Sequence, residues 1–333
     1  MSKRSLQVPA VSPPTSLADG LPASNKKTLQ LAAVGLGVLS LVFWPGLVNV
    51  YQISFVFFTL QYVVLASSCN IISGFTGYVS FGHVAFFGIG SYTTAILVAK
   101  HGWPWYATLP LAGLLPVAWA AFIGFPCLRL KGPYFAISMM GLNEVLRVVT
   151  LSWESLTGGG LGVTMPNVEN SVESYYAGLA VAALTVAMCY AIAHSRFGLR
   201  LAAIREDETA AEAMGIPTTR YKMYAFMLSA FWPGVIGGIV AYKLLYIEPD
   251  STFFIVITVN MITMAMLGGK GTVLGPVIGT AILYTAQELV WWYIPWLHLL
   301  AYGVFIILIV LFMPRGIMGF LVDRGWVAKG VIQ

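Results

Sequence analysis

Nine of the chain's charged residues, which number 18 Lys and Arg and 13 Asp and Glu in all, fall in one stretch from Ser195 to Lys222, SRFGLRLAAIREDETAAEAMGIPTTRYK. Carboxylates and guanidinium groups at this density offer ion pairing and recognition. An apolar run flanks the stretch on each side, so it reads as a loop between membrane spans. Its centre, Ala203 to Gly215, is rich in helix formers and ends at Gly215-Ile216-Pro217, which stops a helix. The expectation is one short amphipathic helix held at the membrane face, where a soluble partner that drives the spans can grip it. Elsewhere, chemistry-bearing residues are few. Glu144 and Arg147 are three apart on one helix face, suited either to mutual neutralisation or to meeting a solute. His83 either lines a path or bonds to a neighbouring helix. Glu288 reaches toward the headgroups, and His298 begins the last apolar run.

No constellation for catalysis or for a nucleotide stands out. Gly269-Lys270-Gly271-Thr272 echoes a phosphate loop, but Met264 occupies the leading glycine position and Lys270 is followed by Gly. Gly158, Gly159, Gly160 and Gly162 lack the strand and helix that a dinucleotide fingerprint requires. Cys69, Cys127 and Cys189 are spaced for neither a metal site nor a disulfide framework and read as small packing residues. The chain is therefore expected to be no enzyme and to carry no cofactor or metal, with any energy from ATP supplied by another polypeptide.

The elements that must position these residues follow from composition. With 58% hydrophobic and 9% charged residues, against about 25% charged in soluble domains, the chain belongs in a bilayer. Its apolar runs are long and continuous rather than alternating, so the spans are helices, which satisfy their own backbone hydrogen bonds. The expected fold class is an all-α polytopic membrane protein of about ten transmembrane helices, at 29–48, 51–70, 82–99, 106–126, 133–151, 176–194, 223–243, 253–268, 271–290 and 297–313. Residues 1–28, with Pro9, Pro13, Pro14 and Pro22 among Ser, Lys and Gly, read as a disordered cytoplasmic tail. The membrane domain then covers 29–320, with the loop 195–222 inside it, and 321–333 form a second cytoplasmic tail.

A net charge of +5 does not point to nucleic acid, because the charges sort by side. Threading with the N-terminus inside puts fifteen basic residues in the cytoplasm and only Lys100 and Lys243 outside. Outer loops carry Glu154, Glu169, Glu173, Glu248 and Asp250, and Trp103, Trp105, Trp153, Trp291, Trp292 and Trp296 sit near outer boundaries as interfacial anchors. Residues 70–91 are interrupted by Gly74, Gly77, Gly82, Gly88 and Gly90, which marks them as a candidate conduit, with re-entrant or broken helices open there and in 253–290. The candidate path residues are Gly82, His83, Gly88, Gly90, Ser91, Asn143 and Glu144. Gly275 and Gly279 read as a helix-packing pair.

Five blocks in order, GYVSFGHVAFFGIGSYTTA (77–95), RLKGPYFAISMMGLNEVLR (129–147) with LTGGGLGV (156–163), AIREDETAAEAMGIPTTRYKMYAF (203–226), MLGGKGTVLGPVIG (266–279) and MPRGIMG (313–319), resemble permease subunits of ABC importers for branched-chain amino acids, specifically the longer M-type of two paired permeases. The resemblance implies a bacterial inner-membrane protein with both termini cytoplasmic. Its implied partners are an H-type permease, two cytoplasmic ABC ATPases and an external substrate-binding protein. It also implies that Arg205, Glu206, Asp207, Glu208, Glu212, Ala213, Met214, Gly215, Ile216 and Pro217 couple to the ATPases, with Glu212, Ala213 and Gly215 at the ATPase cleft. The same architecture serves urea, short amides and aromatic acids. An ion-coupled carrier is the main rival, disfavoured because Glu144 is the only good intramembrane carboxylate.

Overall fold

Long apolar runs without internal partners other than their own backbone fold as helices, and the computed structural model is built almost wholly of them. It describes residues 41–46, 48–130, 132–166, 171–293, 296, 300, 303–304, 307 and 316–323. The N-terminal tail, most of the candidate spans 29–48 and 297–313, Lys131, Glu169, His298, Arg315 and residues 324–333 lie outside the described residues. Two units are distinguished, Met1–Asn49 and Val50–Gln333. In the first, residues 41–43 are helical and Trp44–Gly46 form a tight helical turn.

The second unit contains α1 (Val50–Ser73), α2 (His83–His101), α3 (Trp105–Cys127), α4 (Pro133–Ser152), α5 (Ser171–Ala193), α6 (Arg196–Glu206), α7 (Glu208–Ala213), α8 (Thr218–Leu244), α9 (Ile255–Gly268), α10 (Gly275–Tyr293) and α11 (Gly316–Asp323). Eight of the expected spans coincide with α1–α5 and α8–α10. Among the described residues, six helices are long and apolar enough to cross a bilayer, Val50–Ser73, Trp105–Cys127, Pro133–Ser152, Ser171–Ala193, Thr218–Leu244 and Pro249–Gly268. The helices α2 and α10, with 19 residues each, are about 28 Å long at 1.5 Å per residue.

Alternate helix ends gather on two faces. One face, the basic end, carries the loops 74–82, 128–132, 194–217 and 269–274. The other, the acidic end, carries Glu154, Glu173, Glu248 and Asp250 together with exposed Trp103, Trp153, Trp291, Trp292 and Trp296. At the acidic end β1 (Val163–Thr164) pairs antiparallel with β2 (Tyr246–Ile247), with Val163 opposite Ile247. Gly162, at φ +69°, lies where a Cβ would fall 2.2 Å from the Ile247 carbonyl oxygen. The glycine run 158–162 is thus a turn laid against β2.

Helix α8 is the centre, packed most extensively on α2 and α3 and also on α1 and α5, while α1 touches α9 and α10. Small residues set these contacts. A Cβ on Gly90 would fall 2.0 Å from the Gly234 carbonyl oxygen, and one on Gly237 2.3 Å from that of Phe87, so α2 and α8 touch backbone to backbone. Gly279 meets the Met264 carbonyl at 2.0 Å in the same sense, which bears out the packing reading of that pair. Cys69, Cys127 and Cys189 are buried in the packed interior.

Candidate coupling and solute sites

The charged island is two helices rather than the single one expected. Helix α6 ends at Glu206 because Asp207 is extended, at φ −157° and ψ 112°. The Asp207 carboxylate then caps α7, accepting from the backbone N–H groups of Thr209 and Ala210 at 2.8 and 3.0 Å. An Asp between two helical runs makes a local hydrogen bond that competes with continuing the helix, which is the physical reason for the break. The expected stop does hold: α7 ends at Ala213, and Gly215, at φ +82°, turns the chain into Ile216 and Pro217.

Glu208, at the first position of α7, is directed inward. It accepts from the ammonium of Lys222 at 2.6 Å, and Lys222 is only 1% exposed. The same ammonium donates to the Tyr78 hydroxyl oxygen at 3.1 Å and to the Leu128 carbonyl at 3.3 Å, and it lies over the Tyr78 ring. Tyr78 in turn donates its hydroxyl proton to Glu208. Burial, followed by the Glu208 carboxylate, holds the Tyr78 phenol above its usual pKa range, so it stays a donor. Thr218 donates to Glu212 at 2.6 Å. On α6, Arg205 donates to the Gly74 carbonyl at 3.3 Å and pairs with Glu206 at 3.2 Å. Asn70 joins the two glycine-rich loops of this end, accepting from Gly271 N–H at 2.9 Å and donating to the Thr272 carbonyl at 2.8 Å.

The outward face of the island is different in kind. Ala213, Met214, Gly215 and Pro217 are exposed, Met214 by 83%. An exposed apolar knob on a rigid, internally braced loop is suited to a partner's groove.

The expected path residues do not converge. Gly82 abuts the Met139 carbonyl and Gly88 the Phe253 ring, where a Cβ would fall within 2.5 and 2.3 Å, and Gly90 abuts Gly234 as above. These glycines mark close helix contacts, because what they admit is another backbone or side chain. Helix α1 runs unbroken to Ser73, so the interruption is confined to the loop 74–82. His83 is fully buried with Nε2 3.1 Å from the Ser229 hydroxyl of α8, which is the neighbouring-helix alternative. Asn143 donates to the Phe253 carbonyl at 3.0 Å. Glu144 and Arg147 pair at 2.5 Å, yet Arg147 also reaches Asp250 at 2.5 Å, so the pair lies at the acidic end and is a triad.

Of those residues, Ser91 lines a cavity. This space, of about 390 Å³, lies toward the acidic end among α1, α2, α8, α9, α10 and β2. Its polar lining includes Gln61, Gln287 and Glu288, none of which entered the path set read from the sequence. Glu288, expected to reach toward the headgroups, accepts from the exposed Tyr51 hydroxyl at 2.9 Å. Single amides inside apolar runs were the available signal, since a polar group in a span needs a reason.

A sequence profile described as "Branched-chain amino acid transport system / permease component" matches residues 51–313. The chain belongs to this family. It is 27% identical over 330 residues to the high-affinity branched-chain amino acid transport system permease protein LivM of Salmonella typhimurium, covering 90% of this chain and 77% of that protein. The LivM protein of Escherichia coli K12 is likewise 27% identical over 331 residues. The LivH protein of S. typhimurium is 27% identical over 300 residues, covering 78% of this chain and 91% of its own. No solved structure matches. The greater coverage by LivM proteins makes this an M-type permease subunit, a multi-pass protein of the inner membrane.

Proposed function

We propose that this chain is the M-type membrane subunit of an ATP-driven importer of branched-chain amino acids. In this reading it forms the path with an H-type permease and receives force from two cytoplasmic ABC ATPases. A substrate-binding protein delivers solute on the other side. The basic end faces the cytoplasm with both termini, as the positive charge of its loops favours. The observation that carries the reading is the two-sidedness of α7: Glu208 is braced inward on Lys222 and Tyr78, while Met214 stands 83% exposed beside Ala213 and Gly215.

Such an element is a lever. A partner that closes on the exposed knob pushes α7, and the braces pass the displacement to three places at once: the loop before α2, the end of α3 and the start of α8. The segment Arg205 to Pro217 is accordingly the coupling element, with Ala213, Met214 and Gly215 at the contact. The test is co-purification of the ATPases with the full permease pair. Met214→Glu is expected to insert normally and to lose the ATPases, since a charge enters an apolar contact. Retention of the ATPases at the wild-type ratio would refute the docking role.

A further inference from the structure

The cavity at the acidic end divides chemically. Gln61 on α1 and Gln287 on α10 both line it, and the side-chain carbonyl oxygen of each has no hydrogen-bond partner among the described residues. Gln61 is 6% exposed, so water does not readily compensate it. Buried polar atoms are seldom left unpaired, and two on one wall call for a common explanation. Glu288, next to Gln287, adds a carboxylate that accepts a single described hydrogen bond, from Tyr51. No Lys, Arg or His lines the space among the described residues. Phe58, Val240, Leu244 and Ile257 supply apolar wall. A volume of about 390 Å³ falls within the roughly 300–1,000 Å³ of small-molecule sites.

We infer that this cavity is a solute-binding station that reads a primary ammonium group on an aliphatic skeleton. The ammonium donates to the carbonyl oxygens of Gln61 and Gln287 beside the Glu288 carboxylate, and the aliphatic part packs on the apolar wall. An alkylammonium carries three donors, which suits these three acceptor groups. A carboxylate finds no cationic partner among the described residues of this wall, whereas the ammonium finds three acceptor groups. That the station lies on the transport path rests on the function proposed above; the recognition chemistry is read from the cavity itself.

Ser251 lines the cavity and is exposed, while Cys69, Cys127 and Cys189 are buried. In the full chain, in membranes with its partners, a membrane-impermeant maleimide therefore reports on S251C. Leucine and 3-methylbutylamine are expected to slow that labelling, and 4-methylpentanoate, which lacks the ammonium, is not. Adding Gln61→Leu should raise the half-protecting leucine concentration by about tenfold, as loss of one charge-assisted hydrogen bond would. Gln287→Leu provides the same test if the first variant does not reach the membrane. Protection needs no ATP, so it is separable from a failure of ATPase docking. Equal protection by 4-methylpentanoate, no protection by 3-methylbutylamine, or unchanged leucine protection in the variants would each overturn the inference.

Discussion

The brace between Lys222 and Glu208 permits a prediction in which the two halves of one ion pair behave unequally. Lys222 is 1% exposed and the Glu208 side chain 15%. Replacing Glu208 by Gln leaves the ammonium enclosed with only neutral acceptors, Tyr78 and the Leu128 carbonyl. Stranding a buried charge in this way costs about 3–5 kcal/mol. Replacing Lys222 by Met instead leaves a carboxylate that water partly reaches and to which Tyr78 still donates. That loss is closer to about 1–3 kcal/mol. The double variant carries no unpaired charge, so its cost should fall below the sum of the singles by at least about 1 kcal/mol of coupling.

The assay is built into the chain. A thiol-reactive fluorophore reports thermal unfolding in detergent through Cys69, Cys127 and Cys189, which are 0%, 8% and 1% exposed. The expected order of midpoints is wild type, Lys222→Met, then Glu208→Gln lowest, with the double variant above Glu208→Gln. If Glu208→Gln unfolds at or above the midpoint of Lys222→Met, or if the two losses simply add, the buried-brace reasoning is refuted.

Two further outcomes follow from packing and charge. Gly90→Ala puts a Cβ 2.0 Å from a backbone oxygen of α8, which cannot swing aside, so destabilisation of about 1–3 kcal/mol is expected; Gly141→Ala, which meets nothing within 4 Å, should not lower the same unfolding midpoint. Glu144→Gln should leave the midpoint nearly unchanged because Arg147 keeps Asp250, whereas Glu144→Gln with Asp250→Asn should lower it, and a large loss from the single variant would show that the second carboxylate does not compensate.

The spans were legible because each is a local property. An apolar run such as 106–126 or 223–243 specifies a helix whatever its neighbours are, and α3 and α8 match those runs to within a few residues at either end. The end of α7 was legible for the same reason, through Gly215 and Pro217. The break at Asp207 was not, since its neighbours favour helix and only the cap made by its own carboxylate tips the balance. The packing role of Gly82, Gly88 and Gly90 was not legible because glycine has two uses in a membrane, to unwind a helix and to admit a neighbour, and sequence spacing does not separate them. Only the position of Gly234 opposite Gly90 does. Gln61 and Gln287 are 226 positions apart, and nothing local to either announces that the fold sets them on one wall.

The brace and the cavity occupy opposite ends of the same pair of helices, and that arrangement constrains how force can travel. Tyr78 lies five residues before His83, the first residue of α2, and Lys222 lies in the first turns of α8. Farther along, Gly90 rests on Gly234 and Gly237 on Phe87, contacts with no side chain between the backbones to absorb a shift. In the coupling proposed above, a displacement delivered through Glu208 would move α2 and α8 as one body. That body carries Phe87, Ser91, Val240 and Leu244, one wall of the cavity, whereas Gln61 and Gln287 stand on α1 and α10. On the two proposals together, pushing the lever would change the distance between the apolar wall and the amide wall, and with it the grip on a solute. A loose, side-chain-mediated contact between α2 and α8 would lose the stroke before it reached the cavity, which gives the small residues along this seam a mechanical reason in addition to a packing one.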